Sequence, residues 1–224
     1  MSYNVAIDGP AGAGKSTIAK QIAKRMGLIY VDTGAMYRAM ALYMIREKVN
    51  PEDPDGIVKK CEETHITIRY ENGEQVVLLN GENVNAFLRT EEVGNMASAI
   101  APRKEVRAKL VRLQRELAAT SDVIMDGRDI GTCVLPDADV KIYLTASSAV
   151  RAKRRYDELT AKGEECDLAK IEADIIERDE RDMTREESPL RQAEDAVLVD
   201  SSDMTIEEVI QAIIEICEKK REGN

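Results

Sequence analysis

Residues 4–17, NVAIDGPAGAGKST, decide the fold. The apolar residues before Asp8 are typical of a short buried strand, and a helical pattern begins at Lys15. Between them lies Gly9-Pro10-Ala11-Gly12-Ala13-Gly14-Lys15-Ser16, a full match to G-x-x-x-x-G-K-[ST]. Because the motif stands between a strand and a helix, the sequence predicts a phosphate-binding loop here.

Each part of this loop has a physical role in holding a nucleotide. Glycines let the backbone wrap around phosphates, and the helix N-terminus adds partial positive charge. Lys15 is expected to reach the β- and γ-phosphates, and the Ser16 hydroxyl to ligate Mg²⁺. The alternative, a glycine-rich turn with a chance Lys-Ser pair, is disfavoured by the complete motif in its proper context.

The rest of the chain alternates apolar strands with amphipathic helices. Further strands are predicted at 28–31, 122–126, 140–144 and 196–200, and helices at 15–26, 35–48, 147–162, 168–185 and after Thr90, Pro102 and Thr205. Two prolines predict a break over 50–56. Since strands that alternate with helices form a parallel sheet covered on both faces, we expect an α/β fold in three layers with five parallel strands.

A different pattern occupies residues 63–88. Apolar and polar residues alternate from Ile66 to Tyr70, then ENGE at 71–74 and Asn80-Gly81 supply turns around a second apolar run. This predicts a small β insert in the α/β frame. The single histidine, His65, flanks the insert and is expected to be structural or exposed.

Composition excludes several classes of function. The formal net charge of −10 argues against proteins that coat nucleic acids or bind anionic membranes. One histidine and four scattered cysteines disfavour zinc sites, redox pairs and disulfide frameworks. The start MSYNVAID does not look like a signal peptide, and no apolar run reaches 18 residues. We therefore expect a cytoplasmic protein without nucleic-acid or membrane partners. The absence of long exposed heptads favours a monomer.

Four clusters point to a second pocket beside the phosphate loop. They are residues 32–38 (DTGAMYR), 95–98 (NMAS) with Arg107, 126–129 (DGRD) and 178–185 (RDERDMTR). Ligands of open α/β sheets bind beyond the carboxyl ends of the strands, where the first and third clusters are predicted to lie. A regulatory GTPase would need N-K-x-D, which is absent, and a motor or transporter ATPase would need a coupling module. A compact small-molecule kinase fits best.

At this point the sequence resembles the bacterial cytidylate (CMP) kinase family over nearly its whole length. The resemblance rests on IDGPAGAGKST, the D-[ST]-G-x-x-Y-R segment, DGRDIGTCVLPDADVKIYL and ERDERDMTR. It implies transfer of the γ-phosphate of ATP to CMP or dCMP, with Mg²⁺. It also implies a P-loop core (1–33, 101–146 and 186–224), a monophosphate-binding region (34–100) with the β insert, and a lid with its adjoining helix (147–185).

The resemblance assigns expected roles to individual residues. ATP would be held by Gly9, Pro10, Ala11, Gly12, Ala13, Gly14, Lys15, Ser16, Thr17 and Arg154. CMP would be held by Thr33, Arg38, Ser98, Arg107, Arg128, Asp129, Arg178, Asp182 and Arg185. Lys15, Arg128, Arg178 and Arg185 would be catalytic, and Ser16 would be the metal ligand. The family often has serine where this chain has Thr33, and both residues offer a hydroxyl.

The chemistry of the side chains is consistent with these roles. A guanidinium fork suits phosphate, so Arg38 and Arg128 are interpreted as clamps on the CMP phosphate. The resemblance implies that Asp129 accepts from the N4 amine of cytosine and repels the O4 of uracil, and that Asp182 contacts the ribose. Spacing alone leaves alternatives open: Ser98 could be an ordinary helix residue, and the arginines of 151–155 and 178–185 could form solvated helix faces.

Two other hypotheses remain from the sequence. The acceptor could be another nucleoside monophosphate or a small metabolite, or the chain could be a nucleotide-binding regulator without turnover. A regulator has no second anion to hold, so the arginines near the second pocket speak against it. An acceptor phosphate is mostly dianionic at neutral pH, so none of the kinase hypotheses needs a histidine as general base.

Overall fold

The computed structural model describes residues 2–222 of the chain. Two short turns supplement its regular elements, a 3₁₀ turn at Asn85–Phe87 and a π-helical turn at Ile130–Val134. In chain order, the strands and helices are β1 (Asn4–Asp8), α1 (Lys15–Met26), β2 (Ile29–Asp32), α2 (Thr33–Arg46), α3 (Pro54–Glu63), β3 (Ile66–Glu71), β4 (Glu74–Leu79), β5 (Glu82–Asn83), α4 (Glu91–Ile100), α5 (Lys104–Thr120), β6 (Val123–Gly127), β7 (Val140–Thr145), α6 (Ser148–Ala161), α7 (Leu168–Thr184), β8 (Val197–Asp200) and α8 (Ile206–Glu222).

The main sheet has five strands in the order β2-β6-β1-β7-β8, and every neighbouring pair is parallel. The α/β fold and its five predicted strands are therefore confirmed, with bounds that differ by at most one residue. β1 lies at the centre, where Asp8 stands opposite Gly127 of β6 and Tyr143 of β7. The phosphate loop thus leaves the middle of the sheet at its carboxyl edge.

Helices cover both faces of this sheet, which makes the three predicted layers. On one face, Ala6 and Met125 pack with the methionines of α2 and with α5; on the other, Val5 and Ile7 pack with α1 and α8. Alternate strand residues enter opposite cores because successive side chains of a strand point to opposite faces. The stripe predicted as core packing is fully buried, at Met36, Met40 and Met44.

β3, β4 and β5 form a separate antiparallel sheet within the predicted insert. Positive φ angles at Asn72 (53°) and Gly73 (80°) make the tight hairpin turn that ENGE predicts. The insert docks on the edge strand β2. The Gln75 side chain accepts from the backbone N–H of Asp32 at 2.8 Å and donates to its carbonyl oxygen at 3.1 Å, covering part of an edge that would otherwise be unpaired.

Local signals account for most of the element boundaries, with one difference. Two prolines predicted a break over 50–56, but α3 begins inside it, at Pro54. Proline is favourable in a first helical turn, and the Asp53 carboxylate caps the helix by accepting from the Gly56 N–H. The capping pair Thr205 and Glu208 is confirmed at the start of α8. His65 is exposed, as expected.

The helices were also compared with the requirements for a membrane-spanning segment. None of the helices between residues 2 and 222 combines the length and the apolar character needed to cross a bilayer.

Candidate active site

A cavity of about 1100 Å³ opens beyond the carboxyl ends of β1, β2 and β6. Every predicted site residue lines it except Gly9 and Pro10, whose carbonyl oxygens accept from Lys15 of the lining. The predicted residues that line it are Ala11, Gly12, Ala13, Gly14, Lys15, Ser16, Thr17, Thr33, Arg38, Ser98, Arg107, Arg128, Asp129, Arg154, Arg178, Asp182 and Arg185. The four clusters, whose cavity-lining residues run from Asp32 to Arg185, therefore share one cleft with the phosphate loop.

Backbone geometry explains the glycines of the loop. Gly9, Gly12 and Gly14 have backbone φ angles of 149°, 76° and 85°, which residues other than glycine rarely adopt. A Cβ at Gly9 would also lie 1.9 Å from the Leu144 carbonyl oxygen of β7. The loop can therefore turn sharply and pack directly against the sheet.

Lys15 is buried inside the loop. Its ammonium group donates to the carbonyl oxygens of Gly9 and Pro10, at 2.7 Å each. Burial and the nearby charge of Arg128 hold the pKa of Lys15 well below its usual range. The amine thus lines the cavity at a place where burial outweighs the nearby carboxylates of Asp126, Asp8 and Asp182.

Oxygen atoms gather next to the loop around Asp126, at the end of β6. Its carboxylate accepts from the Ser16 hydroxyl at 2.8 Å and from the Tyr30 hydroxyl at 2.9 Å. Burial and the neighbouring Asp32 raise the pKa of Asp126 to about 6. Hydroxyl and carboxylate oxygens suit Mg²⁺, which is usually held by one or two carboxylates together with substrate phosphates. Residues 2–222 contain no cluster of three or more acidic, histidine or cysteine side chains that would hold a metal alone.

Four arginines surround the middle of the cavity. The Arg128 Nε donates to Asp182 at 2.8 Å, while the buried Nε of Arg178 has no hydrogen-bond partner among the described residues. Burial lowers the pKa values of Arg38, Arg178 and Arg185. Partly buried guanidinium groups that outnumber the carboxylates beside them are stabilised by an anion placed between them.

The far end of the cavity holds a buried ion pair. Arg107 donates to Asp129, and the two side chains are only 7% and 8% exposed. Arg185 approaches the other oxygen of Asp129 at 3.6 Å. Ser98 lies nearby on α4, where its hydroxyl donates to the Gly94 carbonyl oxygen at 3.1 Å. This end therefore presents a carboxylate whose orientation is fixed by its partners.

The arginines of α6 divide into three environments. Arg151 is buried and forms a bidentate pair with Asp179 of α7, at 3.0 and 2.5 Å, while it also donates to the Ala11 carbonyl oxygen at 2.9 Å. Arg154 lines the cavity and donates to the Ser201 carbonyl oxygen at 2.6 Å. Arg155 forms an exposed pair with Glu158. The basic face predicted for 151–155 thus contains one structural clamp between α6, α7 and the loop.

The predicted single face of 178–185 holds for three of its four members. Arg178, Asp182 and Arg185 are largely buried against the cavity. Arg181 is exposed at the rim and lies 3.7 Å from Glu177 of its own helix. Arg181 is therefore a surface residue, as the alternative of a solvated helix face proposed.

We expect Arg151→Ala to lower the free energy of unfolding by about 3 kcal/mol, because it leaves the Asp179 carboxylate buried without its partner. Arg155→Ala is the matched control from the same helix, and its exposed pair contributes at most about 1 kcal/mol. Urea denaturation of both variants measures the difference. Equal losses of stability would contradict the clamp between the two helices and the loop.

Three residues of the cavity region were missed by sequence reasoning about the site. Arg89 lines the cavity and lies 3.4 Å from Asp32; Tyr37 is buried beside Arg107 and Asp129, with its pKa raised to about 12 by burial. Asp8 does not line the cavity, but it lies close enough to Asp129 for that charge to raise its pKa. Tyr37 stands inside the quoted segment 32–38 and could have been weighed, but nothing local distinguishes Arg89 or Asp8 from ordinary surface and strand residues.

Comparisons with known proteins agree with the geometry. The family model for cytidylate kinase matches residues 5–219. The chain is 51% identical to a cytidylate kinase of Caldicellulosiruptor saccharolyticus over 95% of this chain and 94% of that protein. It is 50% identical to one of Lactobacillus johnsonii over 98% and 95%. An uncharacterised protein from Eubacterium ventriosum shares the fold, with a TM-score of 0.52 at 12% identity over 98% of this chain and 99% of that one. The chain therefore belongs to the cytidylate kinase family.

Proposed function

We propose that the chain transfers the γ-phosphate of ATP to CMP or dCMP, giving ADP and CDP or dCDP. Family membership supports the reaction class. The observation that carries the proposal is a single cavity that joins the phosphate loop to a cluster of four partly buried arginines. Such a cavity suits two anionic ligands that must meet end to end.

The donor end is assigned to residues 9–17 and Arg154. Backbone N–H groups of the loop and the N-terminus of α1 would hold the ATP phosphates, and Lys15 would move from the Gly9 and Pro10 carbonyls to the β- and γ-phosphates. Ser16 would hold Mg²⁺, with Asp126 behind it. When bound, Mg²⁺ supplies positive charge to the phosphates that react.

The acceptor phosphate is assigned to Arg38, Arg128, Arg178 and Arg185. The unpaired Nε of Arg178 and the lowered pKa values of three of these arginines support an anion at this point. Asp182, now bonded to Arg128, would contact the ribose hydroxyls. The Thr33 hydroxyl donates to the Asp126 carbonyl oxygen at 2.7 Å, so it would serve CMP as an acceptor.

The base is assigned to the pocket of Asp129, Arg107 and Ser98. Cytosine carries an N4 amine where uracil carries an O4 oxygen. Because Arg107 fixes the Asp129 carboxylate, the remaining lone pairs can accept from the amine and repel the oxygen. A pocket built around such a bond rejects the wrong base strongly, since its own polar groups would be left unpaired.

Catalysis then depends on placement and charge. The acceptor is already mostly dianionic at neutral pH, so no group has to remove a proton from it. Lys15 and the arginines offset the repulsion between two anions held in line. Helices α6 and α7 would act as the lid that excludes water, over residues 147–185. The other proposed parts are the core (1–33, 101–146 and 186–224) and the monophosphate-binding region (34–100).

The site is complete within one chain, so we propose that the enzyme works as a monomer, on small nucleotides in the cytoplasm. Net charge −10 supports the absence of nucleic-acid partners.

A panel of acceptors tests the proposal. ADP formation from ATP and Mg²⁺ is measured with CMP, dCMP, UMP, AMP, GMP and shikimate. We expect CMP and dCMP to give the highest kcat/KM. Preference for another acceptor would contradict the substrate assignment, and ATP binding without acceptor-dependent turnover would contradict the enzymatic function.

A further inference from the structure

Asp8 is a buried carboxylate for which neither the fold nor the proposed chemistry gives a reason. It ends the central strand β1, immediately before the loop, and is 5% exposed. Its side chain accepts from two consecutive backbone groups of the π-helical turn, Ile130 N–H on one oxygen and Gly131 N–H on the other, at 2.7 Å each. These partners lie 122 and 123 residues away in sequence.

The location is unfavourable for a carboxylate. Among residues 2–222, Asp8 forms no direct ion pair. Burial, together with the charge of Asp129, raises its pKa to about 6, although the two N–H groups and the nearby charge of Lys15 lower it. Burying a charge without an opposite charge is costly unless its hydrogen bonds are met. The two N–H groups, together with the charge of Lys15, thus stabilise the ionised side chain, and the carboxylate holds the backbone of the turn in place.

That turn begins directly after the residue assigned to the base. Asp129 precedes it, and its carbonyl oxygen accepts from the N–H groups of Cys133 and Val134 at 2.9 and 3.1 Å. The far side of the turn is equally confined. A Cβ at Gly131 would lie 3.4 Å from an Asp8 oxygen and 3.2 Å from the Lys141 side chain.

We propose that Asp8 is a positioning residue that determines acceptor specificity. Through Ile130 and Gly131 it fixes the turn that carries Asp129, and through the chain it is joined to Gly9 of the phosphate loop. One side chain thereby sets the base-reading carboxylate relative to the donor site. This inference rests on the proposed function, and it adds a residue that does not touch either nucleotide.

Asp8→Asn tests the role with almost no change in volume. An amide keeps one acceptor oxygen but places an NH₂ group against the second backbone N–H, so the turn must shift. We expect the preference for CMP over UMP, as a ratio of kcat/KM values, to fall at least about tenfold, mainly through KM for CMP. KM for ATP should stay within about threefold, because the loop keeps its own contacts.

Asp139→Asn is the matched control. Its carboxylate accepts from the Asn4 N–H at 2.7 Å, at the opposite end of the same strand. The substitution removes the same charge and weakens the same kind of bond far from the cavity. Its ratio of CMP to UMP should equal that of the unmodified chain.

Gly131→Ala tests the turn from its other side while it keeps Asp8. The added methyl group would lie 3.2 Å from the Lys141 side chain, whose ammonium group is held by the Pro136 carbonyl oxygen and by Asp195. The turn therefore has to move away from Lys141, and the preference for CMP should fall here too. This variant decides the question if Asp8→Asn yields no folded protein: an unchanged ratio in Gly131→Ala would then overturn the proposal.

The remaining outcomes separate two failures. A folded Asp8→Asn variant with the preference of the unmodified chain, or with kcat/KM lowered equally for CMP and UMP, would overturn the positioning role alone. An unmodified chain that shows no preference for CMP would contradict the proposed function as well.

Discussion

Lys15→Met is expected to lower kcat for CMP phosphorylation by about 10³-fold, while the protein stays folded. The ammonium group of Lys15 is the buried cation of the phosphate loop, and it is the one lysine among residues 2–222 that lines the cavity. Its loss removes charge stabilisation at the phosphates that react. The assay is ADP formation at saturating ATP and CMP.

Stability should respond differently from activity in this variant. Burial and Arg128 hold the pKa of Lys15 well below its usual range, so the charged amine is unfavourable in the fold and its replacement by methionine removes that cost. The Gly9 and Pro10 carbonyl oxygens lose their donor, which acts in the opposite direction. We expect a net change below about 2 kcal/mol in the free energy of unfolding.

Lys24→Met, on the exposed face of the same helix α1, is the control and should leave kcat unchanged. If Lys15→Met kept more than a tenth of the activity, Lys15 would have no catalytic role.

Asp129→Asn is expected to reduce the preference for CMP over UMP by about 10²-fold. Arg107 determines how the new amide is oriented: its oxygen faces the guanidinium, and its NH₂ group faces the base. That NH₂ group repels the N4 amine of cytosine and can donate to the O4 of uracil. The ratio of kcat/KM values for CMP and UMP therefore falls for two reasons, since kcat/KM decreases for CMP and increases for UMP.

Asparagine is the sharper substitution at this position. Asp129→Ala would leave Arg107 buried without its carboxylate and would lower the free energy of unfolding by about 3 kcal/mol. A change in specificity could then not be separated from a loss of folded protein. Asp137→Asn, an exposed residue after the same turn, removes an equal charge and should not alter the ratio. Equal ratios of kcat/KM for CMP and UMP in Asp129→Asn and the unmodified chain would remove Asp129 from base recognition.

Local sequence signals were sufficient for the frame of this fold. Apolar runs marked the five parallel strands. The motif at 9–16 marked the loop between β1 and α1, because a phosphate-binding loop needs glycine, lysine and serine at fixed positions. Turn residues marked the β insert for the same reason, since Asn72-Gly73 adopts the positive φ angles that few other pairs tolerate. Each of these signals depends on residues close together in the chain.

Contacts between distant residues could not be predicted in the same way. The Arg151–Asp179 pair joins two helices, and nothing in the 151–155 cluster distinguished the buried Arg151 from the exposed Arg155. The π-helical turn after Asp129 and its attachment to Asp8 depend on how β1 and β6 lie side by side. For the site itself, the clusters were found because they follow predicted strands, whereas their roles came from a resemblance and remain proposals.

The most direct test of the central claim is to follow both products of the reaction by ³¹P NMR. The unmodified chain is incubated with ATP and Mg²⁺, with and without CMP. If one cavity holds the two nucleotides end to end, CDP and ADP should form in equal amounts with CMP, and ADP formation should be far slower without it. ADP that forms at the same rate with and without CMP, with no CDP, would contradict the account.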